Sequence, residues 1–381
     1  MVDRISNLPD SLLSHILSFL KIKEYVATSI LSSRWKLVWT LVPIVEFDAN
    51  EFKWKSSSSD KEQSPNQHQD QSYRFRFAHI VSRFCALRNG NPIQKFRLLW
   101  RSLDYDPIHV DTWIRATIAC GLEELDLAIC SGHPFYLPCT LFSYSKTLVV
   151  LKLSGYKIVV NPPSLSLSFP RVKILHLQLV KYAKQDSFSS LLRCCPVLQD
   201  LSVIADWFSC FWNYSFKIIV PTLKRLNLTL NIELYKLVIN APALEYLSFS
   251  GLLDKHVLLK NLSNLVEACL CNASGFDTPM FHNLAFLNFC VDSCMWHVLP
   301  LFLKRTPNLA VLILDKYAQD ESSITHEWIR LLDVPKCLLS HLSAFHFKGF
   351  KGFNDELELV REILKWARVL KKMTISSYPL D

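Results

Sequence analysis

Two cysteine groups carry the residue types with which this chain could do chemistry: Cys269-x-Cys271 and Cys290-x3-Cys294-x2-His297. Thiolates and an imidazole are zinc ligands, and four of them in a tetrahedron would make a structural site. The spacing matches no usual finger, and the repeat pattern described below puts Cys269 and Cys294 with His297 on different repeats. A Cys–His nucleophile pair would need neighbours in space that sequence does not display, and no local context marks one. There are 8 glycines in 381 residues, about 2% against a usual ~7%. No GxG and no GxxxxGK[ST] occurs, so the glycine-rich cradles of nucleotide enzymes are absent. The reading is a chain with no metal, no cofactor and no catalytic acid, base or nucleophile.

The remaining cysteines, among 12 in all, are scattered without a CxxC. The first residues lack the apolar stretch of a secretion signal, and no apolar run approaches the ~18 residues of a membrane span. These features predict a reducing compartment, cytosol and/or nucleus, with thiols as small buried hydrophobes and no disulfide framework. A net charge of +8, spread along the chain, suits acidic partners without requiring nucleic acid.

The elements that would position any site fall into three parts. In the first, Leu8, Leu12, Leu13, Ile16, Leu17 and Leu20 recur at helical spacing behind Pro9 and Asp10. A second helical pattern runs through Val26, Ala27, Ile30, Leu31, Arg34, Trp35 and Val38 to Trp39. So short a unit buries too little to stand alone, so it caps the next domain or keeps an apolar face for a partner. Residues 53–72 are serine- and glutamine-rich and predict a flexible spacer.

After the spacer one hexad returns twelve times, with apolar residues at its positions 1, 4 and 6. It runs from Ile93 to Leu370 with an average interval of about 25 residues, inside the ~20–29 of a leucine-rich repeat. Side chains alternate along a strand, so positions 3 and 5 face away from the core. In the middle repeats those positions hold Asp200, Arg225, Asn227, Tyr246, Glu267, Phe286 and Asn288. That mixture suits a recognition surface, and equally an ordinary solvated sheet face. Short helices such as 188–195 and irregular loops are expected between strands. The aromatic run Trp207 to Phe216 reads as a packed loop or a groove anchor.

The first 45 residues resemble the F-box, through Leu8-Pro9, Ile16-Leu17 and Leu31-Ser32-Ser33-Arg34-Trp35 with Trp39. Lys21 and Ser33 depart from the family pattern. Residues 335–380 resemble the FBD domain found in plants behind an F-box and leucine-rich repeats. Its helix 356–370 would turn Val360, Ile363, Leu364 and Ala367 inward. The resemblance implies an α/β fold: an F-box at 1–47, a spacer at 53–72, a leucine-rich-repeat solenoid (horseshoe) at 73–333 and an FBD capping unit at 334–381. It implies docking on a Skp-type adaptor of a cullin–RING ubiquitin ligase through Leu8, Pro9, Leu12, Ile16, Leu17, Leu20, Val26, Ala27, Leu31, Arg34, Trp35 and Trp39. The repeats would hold an unknown target protein, with no nucleic acid and no membrane as partner. A repeat protein that binds partners or sequesters the adaptor without ubiquitination is the alternative. A small-molecule receptor would need a basic cluster, and Lys152, Lys224 and Arg225 are too few.

Overall fold

The computed structural model describes residues 4–52, 67–101, 107–130, 132–163, 169–206, 215–231, 236–251, 257–271, 279–291, 298–316 and 334–377. The chain divides into two compact units, Met1–Pro196 and Val197–Asp381. Most of the spacer and the aromatic run at 207–214 lie outside the described residues.

Alternation of apolar and polar residues builds both units. Position 3 of every hexad is the first residue of a strand. In the first unit these strands are Lys95–Arg101, Glu124–Cys130, Val150–Ser154 and Ile174–Gln178. In the second they are Asp200–Asp206, Arg225–Asn231, Tyr246–Gly251, Glu267–Cys271, Phe286–Val291, Val311–Lys316, Ala344–Lys348 and Lys372–Ser376. Neighbours within each unit pair in parallel, position 3 opposite position 3. Leu226 and Leu228, for example, are buried beside Leu201 and Val203. Burial of such a side chain contributes roughly 1.5–3 kcal/mol, which fixes which face of each strand turns inward.

Three elements differ from the sequence reading. Ile44–Asp48 is itself a strand and pairs with Lys95–Arg101, so the N-terminal module runs directly into the sheet. The spacer ends sooner than expected, because the helix Gln67–Leu87 takes in its last residues. The return segments are also not only short helices and loops. Phe135–Tyr136, Ile158–Val160 and Lys181–Tyr182 form a parallel second sheet, and Ser215–Ile219, Lys236–Asn240 and Val257–Lys260 form another. β-Branched runs such as Ile158-Val159-Val160 favour that choice. Helices return the chain elsewhere, at Pro107–Ala119, Cys139–Tyr144, Ser187–Arg193, Leu299–Arg305 and Lys336–Ser340. Gly155 shows how close the packing is: a Cβ there would collide with the Ile129 carbonyl oxygen.

The N-terminal module is bonded to the first repeat. Buried Arg88 donates from Nη1 to the Val42 carbonyl (2.7 Å) and from Nη2 to the Pro92 carbonyl (2.8 Å). Around it Phe47 meets Phe84 edge-on at 5.2 Å, and Trp39 meets Phe84 at the same separation.

At the other end, Lys316 occupies a core-facing position of its strand and is fully buried. Glu356, on the helix Asn354–Trp366, answers it at 2.8 Å and is also fully buried. The second carboxylate oxygen of Glu356 accepts from the backbone N–H groups of Lys351, Gly352 and Phe353. The inward stripe of this helix is therefore Glu356, Leu359, Ile363 and Ala367, while Leu364 faces solvent, contrary to its expected place. Removing one member of a buried pair strands the other charge, at a cost of ~3–5 kcal/mol. Lys316→Ala should accordingly lower the stability of the chain by about that amount in denaturant unfolding. Loss of under ~1 kcal/mol would mean that Glu356 is held by its backbone donors alone.

Candidate functional site

The first candidate surface lies on the N-terminal module. Asp10–Leu17 is a helix entered from Pro9. Its buried side carries Leu13 and Leu17, and the flanking side exposes Leu12 and Ile16 at i, i+4 spacing. Phe19 and Leu20 follow, also exposed. The chain continues through Ile22–Ala27, a 3-10 turn at Thr28–Ile30 and Trp35–Val38. Here Ile30 is 85% exposed, with Leu31 and Leu37 exposed beside it in sequence. So many large apolar side chains in water mark an interaction surface. A groove of about 830 Å³ adjoins it, lined by Val26, Ala27, Leu37, Trp39, Phe84 and Leu87 among others.

The expected adaptor contacts thus separate into two kinds. Leu12, Ile16, Leu20, Ala27, Leu31 and Pro9 are exposed, and Leu8 and Val26 partly so. Leu17, Trp35 and Trp39 are buried and form the module's own core. Arg34 is exposed but turned to the chain itself: it donates to the Ser6 and Leu8 carbonyls and pairs with Asp10 at 2.9 Å. Trp35 donates from Nε1 to Ser6 Oγ at 2.9 Å. Phe19, Ile30 and Leu37 were not among the expected contacts. Their signal was an apolar residue off the buried stripe of its helix.

The second candidate surface is the outward sheet face of the second unit. Register places Asp200, Arg225, Tyr246, Glu267 and Phe286 in one row across five strands. Asn227 and Asn288 share the next row with Ser248 and Cys269. All the residues expected at a target surface are therefore together. Arg225 Nε already bonds Asp200 at 2.9 Å, with the guanidinium still largely exposed. On the first unit the equivalent rows are laced by Lys95–Glu46, Arg97–Asp126 and Lys152–Glu124. Burial pushes the Asp126 carboxyl up, against the pull of Arg97 and Lys152.

The structure corrects the expectation for the thiols. Cys271 and Cys290 face each other in register with Cα atoms 4.6 Å apart and are joined as a disulfide, a separation such bonds accept. The Sγ atoms of Cys269, Cys271 and Cys290 all lie within 4.8 Å of one another. Cys294 and His297 lie outside the described residues.

Comparison with known proteins follows the same three parts. Residues 5–47 match the F-box domain, 110–261 match the LRR repeats of FBD-associated F-box protein At5g56370, and 331–375 match FBD. The FBD-associated F-box protein At3g52670 of Arabidopsis thaliana is 31% identical, over 100% of this chain and 90% of its own length. F-box/FBD/LRR-repeat protein At3g52680 of the same plant is also 31% identical, over 100% of this chain and 86% of its own. The chain belongs to the F-box/FBD/LRR-repeat family. Its F-box is the module bearing the exposed apolar side chains, and its leucine-rich repeats supply the parallel strands. Lys316 and Glu356 join a repeat strand to the helix of the FBD segment. Among the described residues no helix is long and apolar enough to cross a membrane.

Burial sets the reactivity of the thiols in this F-box protein. It pushes Cys337 and Cys85 up to about 11 from an ordinary value near 9, and Cys195 further still. A raised folded pKa means that stability is full below the ordinary thiol pKa and is lost as pH rises through the folded value. The denaturant midpoint should fall between pH 9 and 11, and Cys337→Ala should blunt that fall. At neutral pH, iodoacetamide should label exposed Cys130 and Cys139 well before Cys195 and Cys337. Equal labelling rates in the folded chain would contradict this ordering.

Proposed function

We propose that the chain is the substrate-recognition subunit of an SCF-type E3 ubiquitin ligase. The F-box docks a Skp-type adaptor, which brings a cullin–RING ligase, and the repeats act as a solenoid (horseshoe) that holds a target protein. The observation that carries this reading is the set of exposed apolar side chains on the F-box, above all Leu12, Ile16, Phe19, Ile30 and Leu31. A surface module that closed only on its own repeats would have buried them. Catalysis in such a complex is proximity and orientation, and this chain contributes no acid, base or nucleophile to it. The adaptor site comprises Leu8, Pro9, Leu12, Ile16, Phe19, Leu20, Val26, Ala27, Ile30 and Leu31, with Leu17, Trp35, Trp39 and Arg34 shaping it from within. The target site is the row Asp200, Arg225, Tyr246, Glu267 and Phe286 with Asn227 and Asn288. The place of action is the cytoplasm and/or the nucleus.

Hot-spot truncation at an interface costs ~2–4 kcal/mol, which is roughly 30- to 1,000-fold in affinity. Ile30→Glu with Leu31→Glu should therefore abolish pull-down of the adaptor while thermal unfolding stays within about 1 °C. Trp35→Ala should lose both, because its ring is interior. Unchanged adaptor capture by the Ile30/Leu31 variant would overturn the docking surface. A chain that captures adaptor but never cullin would favour sequestration over ubiquitination.

Target capture has its own expected outcome. The Arg225–Asp200 pair is mostly solvated on the arginine side, and such pairs contribute only ~0.2–1 kcal/mol to stability. Arg225→Gln with Tyr246→Ala should leave folding and adaptor binding nearly unchanged and remove the targets enriched after proteasome inhibition. Full recovery of those targets by the variant would move the target site off this face.

A further inference from the structure

The three clustered thiols lie outside the adaptor surface and are not needed for the target site. Cys269 and Cys271 are two residues apart on one strand, so both point to the outward face. Cys290 stands opposite Cys271 on the next strand, and Asp315 stands opposite Cys290 on the strand after that. Three sulfurs already within 4.8 Å of one another need little movement to share an ion. Thiolates bound to one zinc at ~2.3 Å lie roughly 3.8 Å apart.

We propose that, when reduced, Cys269, Cys271 and Cys290 form a thiolate site for a thiophilic cation such as Zn2+. Asp315 is placed to fill or flank the fourth position. Reduction comes first: a cellular dithiol gives two electrons and two protons to the Cys271–Cys290 bond, becomes a disulfide itself and leaves two thiols. Binding then releases three protons, one per thiol, because the thiolate is the ligand. Three thiolates on a divalent cation leave one negative charge, and an Asp315 carboxylate makes it two. Lys348 Nζ, 3.9 Å from Asp315, partly offsets that charge. Ser248 and Asn288 stand opposite Cys269 on the two neighbouring strands, where outer partners of metal ligands commonly sit. The disulfide and the metal site exclude each other, since the same two sulfurs serve both. Either state clamps two adjacent repeats beside Glu267, Phe286 and Asn288.

The test uses the full chain, reduced with a dithiol, freed of it without oxygen and titrated with Co2+ as the optical probe for Zn2+. One equivalent should bind with a thiolate-to-cobalt charge-transfer band, and one equivalent of Zn2+ should erase the band. Cys269→Ser and Cys290→Ser should each abolish the stoichiometric site, while Cys139→Ser, an exposed thiol elsewhere, should keep it. Asp315→Asn should weaken binding ~10- to 100-fold without removing the band. Circular dichroism of each metal-free variant checks that the repeats remain folded. The proposal fails if the fully reduced chain shows no such band, or if the band survives in folded Cys269→Ser. Peroxide treatment before titration should also block binding in the parent chain, and full binding after oxidation of Cys271 to Cys290 would refute the shared-sulfur arrangement.

Discussion

Parallel register is the constraint on which the rest depends. Each repeat contributes a strand whose position 3 sits beside position 3 of its neighbour, from Asp200 to Arg225 to Tyr246 and onward. Slipping one strand by a single residue would turn its leucines to water and its charges inward. With two or three buried alternates per strand at roughly 1.5–3 kcal/mol each, such a slip is too costly to be populated. Everything on the outward face inherits this order, including the ladder of ion pairs, the mixed row of the second unit and the cysteines.

That same order shows why a polar sheet face is not in itself a binding site. Most charges of the first unit's rows are answered by the adjacent strand, as Arg97 is by Asp126. In the second unit the row passes from a charge pair to Tyr246 and Phe286, both only partly buried. Aromatic groups beside an exposed guanidinium supply contact area that paired surface charges do not. The F-box presents a different kind of surface, rich in large exposed apolar side chains. The two are physically distinct, one largely apolar and the other a mixture of charge, amide and aromatic groups.

The strand starts were legible because the hexad reports alternation, and alternation is what a one-sided strand requires. The first strand, Ile44–Asp48, escaped because it precedes the first hexad and overlaps the F-box pattern. The outer strands escaped because runs such as Lys236–Asn240 also suit a short buried segment of any kind. On the F-box, apolar residues were legible but their direction was not. Leu17 and Trp35 turned inward and Ile30 outward, a division set by how the short helices meet rather than by residue type. Nothing in the sequence around Lys316 marks it as buried, and only the fold brings Glu356, forty residues on, against it. The sequence named Cys269, Cys271 and Cys290 but their spacing argued against a shared site, because only the strand register shows that positions on two repeats meet.

In the proposed function the adaptor docks on the F-box helices while the target binds the strands of the second unit. Hydrogen exchange of the full chain, free and saturated with a Skp-type adaptor, tests it most directly. Amides of Asp10–Leu17 and of residues 28–41 should become protected, while those of Arg225–Asn231, Tyr246–Gly251 and Glu267–Cys271 keep their free-state rates. Protection of the repeat strands with none in the F-box helices would contradict the account.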